Sequence, residues 1–114
     1  MYYLEVLFVF GREQLQTFYG PFSSPKKRNR FKEWLEEHER ISYEKSLELK
    51  REGVPEDEAL SGILDPAHVK HLAHDGPLPT GDWQKLPTEF PSVFYWQREA
   101  QVLLFAKRLL PKRD

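Results

Sequence analysis

The chain has 114 residues and a formal net charge of −1, with 39% hydrophobic and 31% charged residues. This composition is typical of one folded, soluble domain, placed here at residues 1–114, and it excludes a polycation that attracts nucleic acid through its overall charge. The lack of cysteine excludes disulfides and thiolate chemistry and favours a cytoplasmic location. The opening apolar run ends at Phe10 and is too short to cross a bilayer, so we expect no membrane partner.

The first predicted element is a β-hairpin. Tyr2–Phe10 is rich in β-branched and aromatic residues on both faces, which predicts a strand that is covered on both sides. Residues 11–14 are predicted to form the turn, although they contain no Asn-Gly or Asp-Gly pair. Residues 15–19 then return as a second strand.

A helix is predicted next, at residues 25–38. The pair Gly20-Pro21 can end the preceding strand sharply. Ser24 before Pro25 is a strong helix start, because the hydroxyl accepts a first-turn amide and proline suits the first helical position. Apolar side chains then recur with helical spacing, at Phe31, Trp34 and Leu35.

The charges of this helix oppose its dipole. Basic side chains crowd its positive end, an arrangement that costs about 0.3–1 kcal/mol per exposed charge. One interpretation is that this end binds nucleic-acid phosphates, with aromatic neighbours that stack on unpaired bases. The other is a solvated face whose repulsion is screened by salt. The residues predicted to bind nucleic acid are Lys26, Lys27, Arg28, Arg30, Lys32, Tyr19 and Phe22, with Lys112 and Arg113 of a basic C-terminal tail.

Further helices are predicted in the acidic middle of the chain. Ser42 caps one helix over residues 43–52, and Gly53 closes it in a left-handed conformation. A second begins near Pro55, and a third, short one runs from Asp65 to about residue 74.

A long loop is predicted over residues 75–91, where prolines and glycines are too dense for a regular element. Loops of this kind are often binding surfaces, so Trp83 and Leu86 are the predicted protein-binding residues. The alternative for Trp83 is packing of the loop onto the body of the domain.

The C-terminal segment, residues 93–110, admits two predictions. A helix is favoured, because residues 97–100 are good helix formers and Val102, Leu103 and Ala106 share a helical face. A second hairpin is the alternative, since residues 94–99 repeat the pattern of residues 8–13. The predicted fold class is α+β, with a small antiparallel sheet that starts with the N-terminal hairpin and several helices packed on it.

Catalytic and metal-binding motifs are weak. His68, His71 and His74 suggest a metal site, but one regular helix cannot direct all three side chains at a single ion. The sequence contains no HExxH motif, no Gly-x-Ser-x-Gly motif and no glycine-rich phosphate loop. We therefore expect a non-enzymatic protein without a cofactor or metal.

The run Gly20-Pro21-Phe22-Ser23-Ser24, which leads into a charged helix, resembles the strand-to-helix junction of SPOR-type peptidoglycan-binding domains. The resemblance is confined to this junction, and no secretion signal or membrane anchor accompanies it. The envelope function of that family is therefore not carried over.

The leading functional prediction is a binding module that engages nucleic-acid phosphates through its basic helix start. The alternative is a protein–protein adaptor or regulatory protein, of phage or mobile-element type, that uses the acidic helices and the Trp83 loop. Salt separates the two, because affinity for phosphates falls steeply with ionic strength and a tryptophan-centred protein interface depends on it far less.

Overall fold

A computed structural model describes residues 1–11, 13–55, 63–86, 90 and 92–99. Within these ranges the chain forms five strands, one long helix and one turn of 3-10 helix. In chain order they are β1 (Tyr2–Phe10), β2 (Glu13–Phe22), α1 (Pro25–Arg51), the 3-10 helix (Pro66–His68), β3 (Val69–Asp75), β4 (Gln84–Lys85) and β5 (Phe94–Glu99).

The strands form one antiparallel sheet in the order β3-β1-β2-β5-β4. β1 and β2 make the N-terminal hairpin, with Leu4 opposite Tyr19 and Phe10 opposite Glu13. β2 starts earlier and ends later than the predicted residues 15–19, so the turn is shorter than expected. Alternation along β1 sends Leu4 and Val6 to one face of the sheet and Tyr3 and Glu5 to the other.

The hydrophobic core lies between α1 and the face of the sheet that carries Leu4. Leu4 and Phe31 are fully buried, and the Phe31 ring lies 5.2–5.6 Å from each of four other aromatic rings. These rings belong to Tyr19, Phe22, Trp34 and Phe90. Helix docking therefore depends on one aromatic side chain that joins α1 to β2 and to the segment before β5.

The opposite face of the sheet is covered in part by the segment between β3 and β4. Phe18 and Trp96 stack there with ring centroids 4.9 Å apart, and Trp83 meets Trp96 edge-on at 6.2 Å. A Cβ placed on Gly81 would collide with the Trp96 ring. The backbone at Gly81 therefore rests directly on that ring, which requires glycine.

The two ends of α1 follow the predicted cap chemistry. Ser24 has an extended conformation and its hydroxyl accepts from the Lys27 amide, while Pro25 occupies the first helical position. At the other end, the Gly53 amide donates to Lys50 and the Val54 amide to Leu49, with Gly53 at φ +81°. This is the Schellman arrangement that glycine favours.

The predicted fold class is wrong, because the described residues contain one long helix and a five-stranded sheet in place of several helices on a smaller sheet. The helix does not stop near residue 38, and Ser42 lies inside it and is not a cap. No glycine or proline interrupts the sequence there. Arg40 pairs with Glu37 at 2.6 Å and with Glu44 at 2.9 Å, so ion pairs bridge the predicted break.

The predicted helix over residues 65–74 is also wrong. Asp65 does cap a helical turn, since its side chain accepts from the Ala67 amide, but that turn is a 3-10 helix that ends at His68. Val69–Asp75 then continues as β3, whose pairing with β1 places Leu72 opposite Glu5. Backbone pairing with a distant strand overrides the local helix-forming pattern. The helix predicted to begin near Pro55 lies mostly in residues 56–62, outside the described residues.

The C-terminal prediction of a helix is wrong for residues 94–99, which form β5 against β2 with Trp96 opposite Phe18. The predicted loop contains the short strand β4, which pairs with β5 through Lys85 and Phe94. In the described chain, β5 therefore forms its hairpin with β4, a strand that comes before it in the sequence. Residues 100–114 lie outside the described residues.

Candidate functional site

A groove lies where α1 begins, between the helix, the end of β2 and the segment before β5. Its volume is about 480 Å³. We call it the basic groove, and it is lined by Pro21, Phe22, Ser23, Lys27, Arg30, Phe90, Ser92 and Val93.

The floor of the basic groove is apolar and tied to the core. Phe22 and Val93 are 7% and 5% exposed, and both belong to the core cluster that contains Phe31. Phe90 meets the Phe31 and Trp34 rings edge-on at 5.2 and 5.0 Å. The Val93 amide donates to Phe90, and the Val93 carbonyl accepts from Leu86. These contacts hold the floor in place before any ligand binds.

The rim of the groove is cationic. Lys27 and Arg30 line it from successive turns of α1, and Lys26 is exposed beside them in the first turn. Within the described ranges, no ion pair forms at any of these three side chains. The first turn of α1 also contains no acidic residue. The arrangement can hold an anion such as a phosphate or carboxylate next to an apolar surface.

The other two cations predicted at the start of α1 have partners within the protein. Arg28 is 8% exposed, lies 2.6 Å from Asp75, and donates to the His74 carbonyl at 3.0 Å. Its guanidinium also lies 5.7 Å from the centre of the Tyr2 ring. Lys32 lies 3.7 Å from Glu36 on the same helix. Arg28 thus fastens α1 to the edge strand β3 and does not face the groove.

The two aromatic residues predicted for the site lie in different environments. Phe22 lines the groove, whereas Tyr19 packs inside, between Phe31 and Tyr95. Burial, together with the charge of Glu39 and the neighbouring Tyr95, raises the pKa of Tyr19 from 10.0 to about 12. Tyr19 is therefore a core residue and offers no ring face to a nucleic-acid base. Lys112 and Arg113 lie outside the described residues.

The raised pKa of Tyr19 predicts a loss of stability at high pH. An unfolded chain ionises this phenol near pH 10, whereas the folded chain keeps it neutral to about pH 12. Its contribution is therefore complete below pH 10 and is lost as the pH rises through 12, by about 2–3 kcal/mol. Urea unfolding at several pH values should show this fall, and Tyr19→Phe should fall less over the same range. Equal slopes for the two proteins would contradict the assignment.

The predicted protein-binding residues pack against the domain. The Trp83 indole donates to the Pro79 carbonyl at 3.1 Å and its ring rests against Trp96. Leu86 packs against the hydrophobic core. Both side chains are half-buried and lie on the segment that connects β3 to β5.

The three histidines that suggested a metal site have different neighbours and do not converge on one point. His71 faces α1 and lies 2.6 Å from Glu39, whereas His74 lies on the opposite face of the sheet, 2.7 Å from Glu5. His68 packs edge-on against Phe10 at 4.9 Å. No group of three or more metal-ligating side chains occurs among the described residues. His71 and His74 instead connect β3 to α1 and to β1.

The part of the groove that comes from the segment before β5 was not predicted from the sequence. Ser92 and Val93 stand far from Lys27 in sequence, and only the pairing of β5 with β2 brings them together. The repeat of the pattern of residues 8–13 in residues 94–99 is a local signal for a strand, but it does not identify β2 as the partner of that strand.

Comparison with protein-family models, with curated proteins and with solved structures found no match. Among the described helices, none is long and apolar enough to cross a membrane.

Proposed function

We propose that this protein is a non-enzymatic binding module that engages nucleic-acid phosphates at the basic groove. The observation that carries the proposal is the cationic rim. Lys27 and Arg30 line a groove with an apolar floor and have no acidic partner in the described part of the chain, and the neighbouring Lys26 has none either. Cations and apolar rings together suit nucleic acid, which offers both phosphates and base surfaces.

The charge distribution along α1 confines binding to one end of the molecule. A second groove, of about 440 Å³, lies farther along the helix and is lined by Glu33, Glu36, Glu37, Glu39, Arg40, Pro66, Val69 and His71. We call it the acidic groove. It repels phosphate, so a polyanion is attracted to the start of α1 and directed away from its middle. A net charge of −1 supplies no general attraction, so the affinity must come from a few local contacts.

The test is a titration of a fluorescent oligonucleotide at several salt concentrations, with Lys27→Ala/Arg30→Ala as the variant. Each lost phosphate contact reduces the slope of log affinity against log salt by about 0.7–0.9. We expect the double variant to bind at least about tenfold more weakly at low salt. The slope of its log affinity against log salt should be smaller in magnitude by about 1.4–1.8. Both side chains are exposed, so the melting temperature should change little.

The matched control is Lys45→Ala/Arg51→Ala, which removes the same charge from the other end of α1. Both of its side chains are exposed. The control should retain the affinity of the parent protein. No binding by the parent protein at low salt, or an equal loss in the two double variants, would refute the proposal.

A second candidate function has one observation in its favour. The acidic groove can accept a lysine- or arginine-rich peptide, which fits the alternative of a protein–protein adaptor. Trp83, the other residue predicted for an adaptor, gives weaker support, because its ring already packs on Trp96. Binding of a basic peptide that is lost in Glu33→Gln/Glu36→Gln, with no binding of oligonucleotides, would favour the adaptor over the leading proposal.

A further inference from the structure

The shape and lining of the basic groove go beyond a site for phosphate alone, and we infer that it selects single-stranded nucleic acid and seats one unpaired base on its floor. This inference rests on the proposed function and names its substrate class.

The dimensions of the groove favour an unpaired base. Its volume of about 480 Å³ lies within the range of about 300–1,000 Å³ of pockets that enclose small molecules. In a duplex the bases are stacked and paired inside the helix, so a duplex presents only its backbone and groove edges to such a site. A single strand can turn one base out into the groove at little cost.

The lining of the groove matches a nucleotide in two parts. Lys27 and Arg30 on the rim can neutralise the phosphates on either side of the base. Phe22, Phe90 and Val93 form an apolar floor for the base. A phosphate alone would not contact such a floor, and an apolar ligand would not need the cations.

The polar groups at the margin of the groove predict tolerance of base identity. Ser23 and Ser92 are exposed there, and each hydroxyl can both donate and accept a hydrogen bond. A rotating hydroxyl adapts to the edge of any base, whereas the fixed pattern of an amide or guanidinium favours one. We therefore expect single-strand selectivity with little sequence preference.

The floor is fixed before binding. Phe22 and Val93 belong to the buried core, and the Val93 backbone is held by hydrogen bonds to Phe90 and Leu86 at 3.1 Å each. A preformed site avoids the cost of ordering the protein when the ligand binds.

The experiment compares four kinds of probe of matched length at one salt concentration. Single-stranded oligonucleotides have a length of about ten nucleotides, within the usual site sizes of about 4–16, and are made as both DNA and RNA. The other probes are the corresponding duplex, an oligonucleotide in which abasic sites replace every base, and polyglutamate. At least one single strand should bind about tenfold more tightly than each of the other three.

Two variants locate the selectivity. Phe90→Leu keeps the floor apolar without its aromatic ring and should reduce the preference for the single strand over the abasic probe. Lys27→Ala/Arg30→Ala should weaken all nucleic-acid probes together. If Phe90→Leu does not fold, the comparison of probes on the parent protein still decides the question.

The outcomes separate this inference from the proposed function. Equal affinity for single strand, duplex and abasic probe, lost in Lys27→Ala/Arg30→Ala, would overturn the inference and leave phosphate binding intact. Failure of every nucleic-acid probe would overturn both, and so would polyglutamate binding as tightly as the single strands.

Discussion

Replacing Phe31 with alanine is expected to lower the free energy of unfolding by about 3–5 kcal/mol, the largest effect of any single change proposed for this chain. The side chain is fully buried and contacts four aromatic rings from β2, α1 and the segment before β5. Alanine leaves a cavity that the rigid sheet cannot close. Urea unfolding, followed by tryptophan fluorescence and by circular dichroism, measures the loss.

The matched control is Phe10→Ala, which removes the same side chain from a position that is 56% exposed. It should cost less than about 1 kcal/mol. Similar losses in the two variants would mean that Phe31 does not join the helix to the sheet. Because Phe31 also supports Phe22 and Phe90, its loss should weaken the basic groove, so oligonucleotide binding by Phe31→Ala is no test of the function.

The features that sequence could predict are those with local causes. The nearly continuous run of apolar residues in Tyr2–Phe10 predicted β1, because a strand covered on both sides needs apolar residues at nearly every position. Ser24, Pro25 and Gly53 predicted where helical structure begins and ends, because caps satisfy backbone groups with residues that are near in sequence.

The features that sequence missed depend on distant partners. β3 contains histidines at helical spacing and β5 contains Gln97-Arg98-Glu99, which are good helix formers. Both segments became strands because β1 and β2 each present a free edge to them. The predicted break near residue 40 failed for the opposite reason, since side-chain pairs three and four residues apart support one continuous helix.

In the candidate site, too, features with local causes could be predicted and features that depend on distant partners could not. The cluster of cations at the start of α1 is visible in the sequence, and the structure places Lys27 and Arg30 at a groove. Which cations are available is a tertiary property, because Asp75 pairs with Arg28 only after β3 joins the sheet. All the cations at the helix start oppose the dipole alike, whereas burial and pairing distinguish Arg28 from Lys27 and Arg30.

Replacing Arg28 with alanine is accordingly expected to lower the free energy of unfolding by about 2–3 kcal/mol. The ion pair itself is the smaller part, since the Asp75 side chain is 72% exposed and water can take the place of the guanidinium. The larger part is the hydrogen bond to the His74 carbonyl, together with packing of the side chain and the contact with the Tyr2 ring. Thermal and urea unfolding measure the change, and Asp75→Asn should cost about 1 kcal/mol or less.

Arg30→Ala is the matched control, because it removes the same side chain two residues farther along α1 at an exposed position. It should change the free energy of unfolding by no more than about 0.5 kcal/mol and should weaken oligonucleotide binding. Arg28→Ala should do the reverse, provided that binding is measured at a temperature where the variant is folded. The same loss of charge then has opposite consequences, because one guanidinium fastens the helix to the sheet and the other faces the groove. Equal losses of binding in the two variants would show that phosphate is attracted by the overall charge of the helix start, and the basic groove would not be the site.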